Sequence, residues 1–420
     1  MNIPGNFGRR VKCPCCANPW DQTGDDASSA PAGNLVCAPC LVDNKGFSGI
    51  DPDNFDLSVP PSENFYQFSN GGWRAKNPIP GEYSNWNTFI ALRDLNLERL
   101  KVILEELEAS AGSGTEASEE QVKLADFYNS FMDEKSIESS DKVNLSEVIA
   151  VCASASKDPT GALAILHSKY GIKGLFGMYS SPDKKNSKHS LCTITQSGLG
   201  MPDRDYYFDA DKEEKRVKYT EYIAKIFNLL GTLGGISEYS DPSSCQKAAV
   251  AVMGFETALA SAHLTRTASR DPELTYNKMS ISELCKLTTP ALTWSSYLST
   301  GKETPGIDWI KYFEMIGKNA QLLGDINLST IDALKKASEL ISSPVLTDYL
   351  TFHTVNCSAQ HLSSQFVNAY FEFHEKELKG TLEIRPRWKR ALESLEAALG
   401  NALGQLYVFK SRVNEKLLLA

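Results

Sequence analysis

The chain has 420 residues, of which 42% are hydrophobic and 23% charged, the composition of an ordinary soluble globular protein with room for two or three domains. Its net charge of −9 argues against nucleic acid as a partner. No window approaches the ~20 apolar residues of a transmembrane helix, and the first residues lack the apolar core of a signal peptide. Composition alone therefore leaves the compartment unknown, with the cytoplasm as the default.

Residues 1–49 form a segment of their own, rich in Gly, Pro, Ser and Asp and without helical or strand periodicity. Five of the ten cysteines lie in it, and two pairs, Cys13 with Cys16 and Cys37 with Cys40, have the spacing of a four-thiolate zinc ribbon. Thiolates at tetrahedral spacing suit Zn²⁺. We therefore predict a structural zinc at these four residues, with a disordered leader or a disulfide pair as the alternatives.

Aromatic residues gather between residues 63 and 80, around a Gly71-Gly72 pair. Phe65 and Phe68 lie three apart, which predicts a short helix over residues 64–69. The two glycines then allow either a sharp turn or a close approach to another element. We expect the aromatics of residues 65–73 to share one core with the apolar face of the next helix.

That helix is the first of a long series of predicted helices. We therefore predict that residues 50–420 form a mainly α-helical domain. Apolar positions repeat at three and four residues from residue 86 to residue 108, and Ser84 is the expected N-cap. The same periodicity predicts helices over residues 119–132, 145–154, 159–170, 212–233, 244–265, 281–287, 330–342 and 345–378, the last either one bent helix or two abutting ones.

A β-hairpin and a loop interrupt the helices. Residues 174–192 have the pattern of two strands that turn around Pro182-Asp183-Lys184. The loop that follows, residues 196–207, contains Gly198, Gly200 and Pro202 and places Arg204 between two aspartates. We predict an ion pair that fixes this loop, rather than a catalytic pair of carboxylates.

Several runs resemble, in order and spacing, the signature of the neprilysin family of zinc metallopeptidases. The first is Asn64-Phe65-Tyr66 with Gly72-Trp73 and Asn77-Pro78-Ile79-Pro80, and the second is the loop of residues 196–207. Shorter matches follow at residues 270–277, 385–389 and 400–408. The resemblance covers about residues 50–409. One departure is Asn85-Trp86-Asn87, where the family often has a substrate-facing arginine.

The resemblance implies a fold and an activity. The chain would be the lid-like, multi-helical N-terminal half of such a peptidase, with a minor β-hairpin, and the family activity is zinc-dependent hydrolysis of small peptides. Peptide substrates and the catalytic lobe would then be its partners. Relatives are often membrane-anchored or secreted, whereas no anchor is seen in this sequence.

The chemistry of that family is missing from these residues. The family binds zinc through two histidines four apart on a helix and a downstream glutamate. The six histidines of this chain are His167, His189, His263, His353, His361 and His374, and no two are four apart. After His374 the second ligand position is Leu378, which cannot bind zinc. We therefore expect His374 to lie on a solvated or half-buried helix face.

Two functional hypotheses remain open. In the first, the chain is an enzyme half that ends at Ala420, before the catalytic lobe, and is inactive alone as a truncated product, a splice form or one part needing a complement. In the second, it is a non-catalytic module that binds peptides and regulates or sequesters them.

Overall fold

The computed structural model describes residues 51–111, 118–289, 306–317 and 324–419, together with two short antiparallel strands, Val11–Lys12 (β1) and Pro19–Trp20 (β2). The chain forms two compact units. Unit 1 comprises Met1–Asp133 and Thr381–Ala420, and unit 2 is Glu134–Gly380, inserted in sequence between the two parts of unit 1. Cys13, Cys16, Cys37 and Cys40 lie outside the described residues.

Helices dominate both units, as expected for this mainly α fold. In chain order the remaining elements are α1 Phe65–Lys76, α2 Thr88–Ala111, α3 Glu119–Met132, α4 Glu134–Glu138, α5 Asp141–Ser154, α6 Pro159–Tyr170, β3 Phe176–Asp183, β4 Asn186–Gln196, α7 Asp205–Phe208, α8 Glu213–Thr232, α9 Pro242–Ala260, β5 Asn277–Ser280, α10 Ile281–Thr288, α11 Trp309–Met315, β6 Asp325–Leu328, α12 Ile331–Leu340, α13 Leu346–Ser358, α14 Ser364–Tyr370, a π-helix Phe371–Glu377 and α15 Arg387–Leu419.

The core of unit 1 lies between α2, α3 and α15. Its buried residues recur at helical spacing and are Leu97, Leu104, Leu107, Leu124, Tyr128, Phe131, Ala391, Leu392, Leu395, Leu403 and Leu406. The expected shared core with the aromatics of residues 65–73 is wrong. Phe65 is 68% exposed and Phe89, at the start of α2, is 84% exposed. Phe68 instead stacks on Phe55, with ring centroids 5.3 Å apart, so α1 packs on the segment that precedes it.

The glycine pair lies inside α1 rather than after it. The helix begins after Asn64, whose side chain caps it by accepting from Gln67 N at 3.0 Å, and continues to Lys76. A Cβ on Gly72 would lie 2.5 Å from the backbone oxygen of Asp53. The glycines therefore permit a close approach, the second of the two roles expected for them. The cap of α2 is Asn87, which accepts from Ile90 N at 3.0 Å, so the expected cap at Ser84 is wrong.

Unit 2 contains a four-stranded sheet in the order β3-β4-β6-β5. The predicted hairpin is present as antiparallel β3 and β4, with Phe176 opposite Gln196. Strand β6 pairs parallel to β4 and antiparallel to β5, and neither β5 nor β6 was predicted. Helices cover this sheet with a core rich in buried aromatic residues, which include Tyr219, Phe227, Trp309, Tyr312, Phe313, Tyr349, Phe352 and Phe366.

Two predicted helices differ from the structure in ways that matter for the core. The helix predicted over residues 345–378 is two helices, α13 and α14, separated by the 3₁₀ turn Ala359–His361, and the second continues into the π-helix. Helix α9 ends at Ala260 instead of residue 265. Val250, an apolar residue of this helix, is 57% exposed, whereas Leu259 is buried.

Candidate functional site

A buried polar cluster of unit 2 is built around the carboxylate of Glu256, which is fully buried on α9. Its Oε1 accepts from the Tyr219 hydroxyl at 2.8 Å and lies 2.8 Å from His353 Nε2, which must carry a proton because a carboxylate can only accept. Its Oε2 accepts from Gly200 N at 3.1 Å and from the Tyr207 hydroxyl. Four donors from α7, α8, α13 and one loop therefore meet at one charge.

The two glycines of that loop, residues 196–207, make this convergence possible. A Cβ on Gly200 would overlap the Tyr219 hydroxyl. Gly198 has φ of +91°, which favours glycine, and its carbonyl accepts from the Tyr349 hydroxyl at 2.7 Å. The Gly-x-Gly spacing thus reflects two tyrosine hydroxyls that approach the backbone.

The tyrosines around Glu256 are held in their neutral form. Burial raises the pKa of Tyr207 and of Tyr219 well above the ordinary value, and the Glu256 charge raises both further. Both hydroxyls are therefore hydrogen-bond donors to the carboxylate. With its donors in place and no exposed surface, Glu256 has no room to act on a substrate, and its role is to fix the loop.

Other polar side chains of the loop form hydrogen bonds or ion pairs that fix the backbone of the loop and of its neighbours. Gln196 Oε1 accepts from Leu264 N at 2.8 Å, and its amide donates to the Leu264 carbonyl at 3.1 Å. Arg204 lies 3.3 Å from Asp205 Oδ1, which is the predicted ion pair. Asp203 accepts from Asp205 N at 3.0 Å. The aspartates thus secure a turn, as expected.

Sequence reasoning missed Glu256 and His353. The available signal was a charged residue among the apolar positions of α9, where Val252, Phe255 and Leu259 are buried on the same side of the helix as Glu256. His353 gave no such signal, because its partner is 97 residues away in sequence.

Of the remaining histidines, His167 is half-buried and His263 is buried. His167 Nδ1 lies 2.6 Å from the Tyr312 hydroxyl, and Gly174 N donates to its Nε2 at 3.2 Å. Burial lowers the pKa of His167 to about 4. His263 is buried beside Arg204, and burial together with that charge lowers its pKa to about 4.

His374 contradicts its expected place on a solvated or half-buried face, because only 9% of it is exposed. It lies in the π-helix, where it stacks on Tyr370 with centroids 4.4 Å apart and places Nε2 2.9 Å from Asn356 Oδ1. Burial lowers its pKa to about 3. The neighbouring helices α8 and α13 cover this face, so His374 belongs to the core.

No zinc site of the catalytic type fits the described part of the chain. Across residues 51–111, 118–289, 306–317 and 324–419, no group of three or more His, Cys, Asp or Glu side chains is placed to hold a metal ion. A catalytic zinc needs three protein ligands and one open position. In the same residues no helix is long and apolar enough to cross a membrane.

Comparisons with known proteins are consistent across sequence and structure. The sequence model of Peptidase family M13 matches residues 61–416. Bovine endothelin-converting enzyme 1 is 31% identical over 366 residues, covering 84% of this chain and 45% of that protein. Drosophila melanogaster neprilysin-3 is 26% identical over 400 residues, covering 90% of this chain and 48% of that protein.

The structural comparison agrees. The zinc metalloprotease Zmp1 of Mycobacterium tuberculosis, solved with an inhibitor, aligns with a TM-score of 0.75 and 27% identity, over 88% of this chain and 53% of that one. The chain thus spans about half the length of the relatives it matches. Because the family match covers most of the sequence, the chain belongs to peptidase family M13, the neprilysin family of zinc metallopeptidases, and corresponds to its N-terminal domain.

Proposed function

We propose that this chain is the N-terminal half of a neprilysin-like zinc metalloendopeptidase that hydrolyses small peptides, and that residues 1–420 do not catalyse hydrolysis by themselves. The proposal rests on two observations taken together. The family model matches residues 61–416 of this chain, and the described residues contain no group of three side chains placed to hold a metal ion. The zinc ligands and the general base would then come from residues outside this sequence.

Exposed apolar side chains in unit 1 are consistent with a second polypeptide segment that would pack against this unit. Phe65, Phe89 and Leu92 are 68%, 84% and 55% exposed, and Leu57 and Leu382 are 81% and 77% exposed. These side chains are candidates for a surface that another polypeptide segment covers. The partner proposed here is the catalytic lobe of the same type of peptidase.

The test is an activity assay of the purified 420-residue chain on a mixed peptide library, with added zinc and with a chelator. We expect no chelator-sensitive cleavage, because the histidines cannot provide the pair of ligands one helical turn apart. Cleavage that a chelator abolishes and zinc restores would contradict the proposal.

The alternative is a non-catalytic module that binds peptides, and it shares the expected lack of activity. Transcript sequence beyond Ala420 separates the two. A downstream His-Glu-x-x-His motif supports the enzyme half, whereas a reading frame that continues without that motif supports the binding module.

A second proposal concerns a structural zinc at Cys13, Cys16, Cys37 and Cys40, and it rests on their spacing alone. Four thiolates would close the coordination shell, so this metal would have no place for an activated water. We expect about one zinc per purified chain, lost in the Cys37→Ser/Cys40→Ser variant. Cys15→Ser is the matched control and should keep the metal. A metal-free wild-type chain would refute the proposal.

A further inference from the structure

A cleft of about 300 Å³ lies within unit 2, apart from the Glu256 site. One wall is a single face of α8, formed by Lys218, Glu221, Tyr222 and Lys225. The opposite wall is formed by Ala369 at the end of α14 and by Glu372, Phe373 and Glu377 of the π-helix. π-Helical turns are rare and are frequent at functional sites.

The floor of the cleft is aromatic and rigid. Tyr222 and Phe373 are both buried and stack with ring centroids 5.2 Å apart and planes 12° from parallel. The Tyr222 hydroxyl donates to Asn356 Oδ1 at 2.7 Å, which fixes its orientation. The cleft therefore offers a preformed apolar surface between two polar walls.

Most charges in the walls are already neutralised. Glu377 pairs with Lys215 and with Lys218, the latter at 2.9 Å. Glu372 pairs with Lys376 at 2.9 Å. Glu221 and Lys225 differ, because neither forms an ion pair or side-chain hydrogen bond with any residue that the structure describes. One carboxylate and one ammonium thus remain available at the cleft.

The spacing of Glu221 and Lys225 along α8 suits a short ligand that carries both charges. Residues four apart on a helix have Cβ atoms about 5–6 Å apart. An extended dipeptide spans roughly 7 Å, so its free ammonium and carboxylate would reach Glu221 and Lys225 together. A volume of 300 Å³ is at the lower end for small-molecule sites, which suits a ligand of two or three residues.

We infer that this cleft binds a di- or tripeptide with free termini, with its amino group at Glu221, its carboxylate at Lys225 and an apolar side chain against Tyr222 and Phe373. Such a ligand has the chemistry of a product of peptide hydrolysis, because each cleavage creates a new terminus. The inference does not rest on the proposed activity, because it is argued only from the charges, aromatic rings and volume of the cleft.

The test is calorimetric titration of the full 420-residue chain with alanyl-phenylalanine, its N-acetyl form and its C-terminal amide. We expect saturable binding of the free dipeptide and about fivefold or greater weakening by either cap, the loss of one charge-assisted contact. Lys225→Met should weaken the free dipeptide to the same extent and leave the amide unaffected. Glu221→Gln should also weaken binding of the free dipeptide to the same extent, and it should leave binding of the N-acetyl form unaffected.

Lys247→Met is the matched control, because Lys247 is an exposed lysine of α9 away from the cleft. This variant should bind the dipeptide as the wild-type chain does. The inference is overturned if no saturable binding occurs up to millimolar dipeptide, or if Lys225→Met weakens the amide as much as the free acid. Because no cleavage is measured, either result leaves the proposed function as it stands.

Discussion

At the scale of single residues, Glu256 shows how a charge can stabilise the interior of a protein. Burying an unpaired carboxylate costs several kcal/mol, so such a group persists only when donors surround it. Here two tyrosine hydroxyls, one backbone N–H and one imidazole N–H supply them. The charge thereby joins α9 to the loop of residues 196–207 and to α13.

Replacement of Glu256 by glutamine tests this arrangement with almost no change in volume. The amide nitrogen cannot accept, so at least one of the buried donors loses its partner. We expect Glu256→Gln to lower the free energy of unfolding of unit 2 by about 3 kcal/mol. Chemical denaturation measures the change. Glu314→Gln, at an exposed position of α11, should stay within about 0.5 kcal/mol. Equal effects of the two substitutions would contradict the assignment.

At the scale of elements, the packing of α1 depends on its close approach to the backbone of residues 53–55. A Cβ on Gly72 would lie 2.5 Å from the Asp53 carbonyl oxygen and 2.8 Å from that of Phe55. Both are backbone atoms, so the contact cannot be relieved by rotation of a side chain. The helix can therefore pack at this distance only with glycine at residue 72.

A pair of glycine-to-alanine variants separates this contact from helix propensity. Alanine normally stabilises a helix interior by about 0.5–1 kcal/mol over glycine. Gly404→Ala on α15 should show that gain, because nothing lies within 4 Å of its added methyl group. Gly72→Ala should instead destabilise unit 1 by about 1–3 kcal/mol through overpacking. Thermal or chemical denaturation gives both values, and a gain at residue 72 would show that α1 does not pack closely.

At the scale of the whole molecule, buried histidines make stability depend on pH. His167, His263 and His374 all belong to unit 2, and burial lowers their pKa values to about 4, 4 and 3. In the unfolded chain the same histidines titrate near 6.5. The unfolded state therefore binds protons first on acidification. The stabilisation from neutral histidine is complete above pH 6.5 and is lost as the pH falls toward 4 and 3.

We accordingly expect the free energy of unfolding of unit 2 to fall between pH 6.5 and 5, by up to about 1.4 kcal/mol per pH unit for each buried histidine. Denaturation curves at several pH values measure the slope. His374→Gln should reduce the slope because it removes one titrating group. His189→Gln is the control, since His189 is exposed on β4 and should leave the slope unchanged. A flat profile over this range would refute the assignment of these histidines as neutral.

Much of the fold followed from the sequence because helix periodicity is local. The 3.6-residue repeat of apolar side chains located α2, α3, α6 and α8, and the strand pattern located the hairpin of β3 and β4. The order of short motifs identified the family, since glycines, prolines and aromatics at fixed spacing reflect fixed backbone contacts. The absence of histidines four apart is a property of the sequence itself and needed no structure.

What periodicity could not decide is which face of an element another element covers. Phe65 and Leu92 were expected in a core and are exposed, whereas His374 was expected on a solvated or half-buried face and is buried. The same limit applies to β6, a four-residue strand that pairs with β4, more than 100 residues earlier. Glu256 and His353 meet across 97 residues of sequence. The sequence by itself therefore determined most of the helices, the hairpin and the family, because these depend on neighbours along the chain. Only the tertiary structure decided which residues are buried, which side chains are partners and where the cleft lies, because these depend on residues that folding brings together.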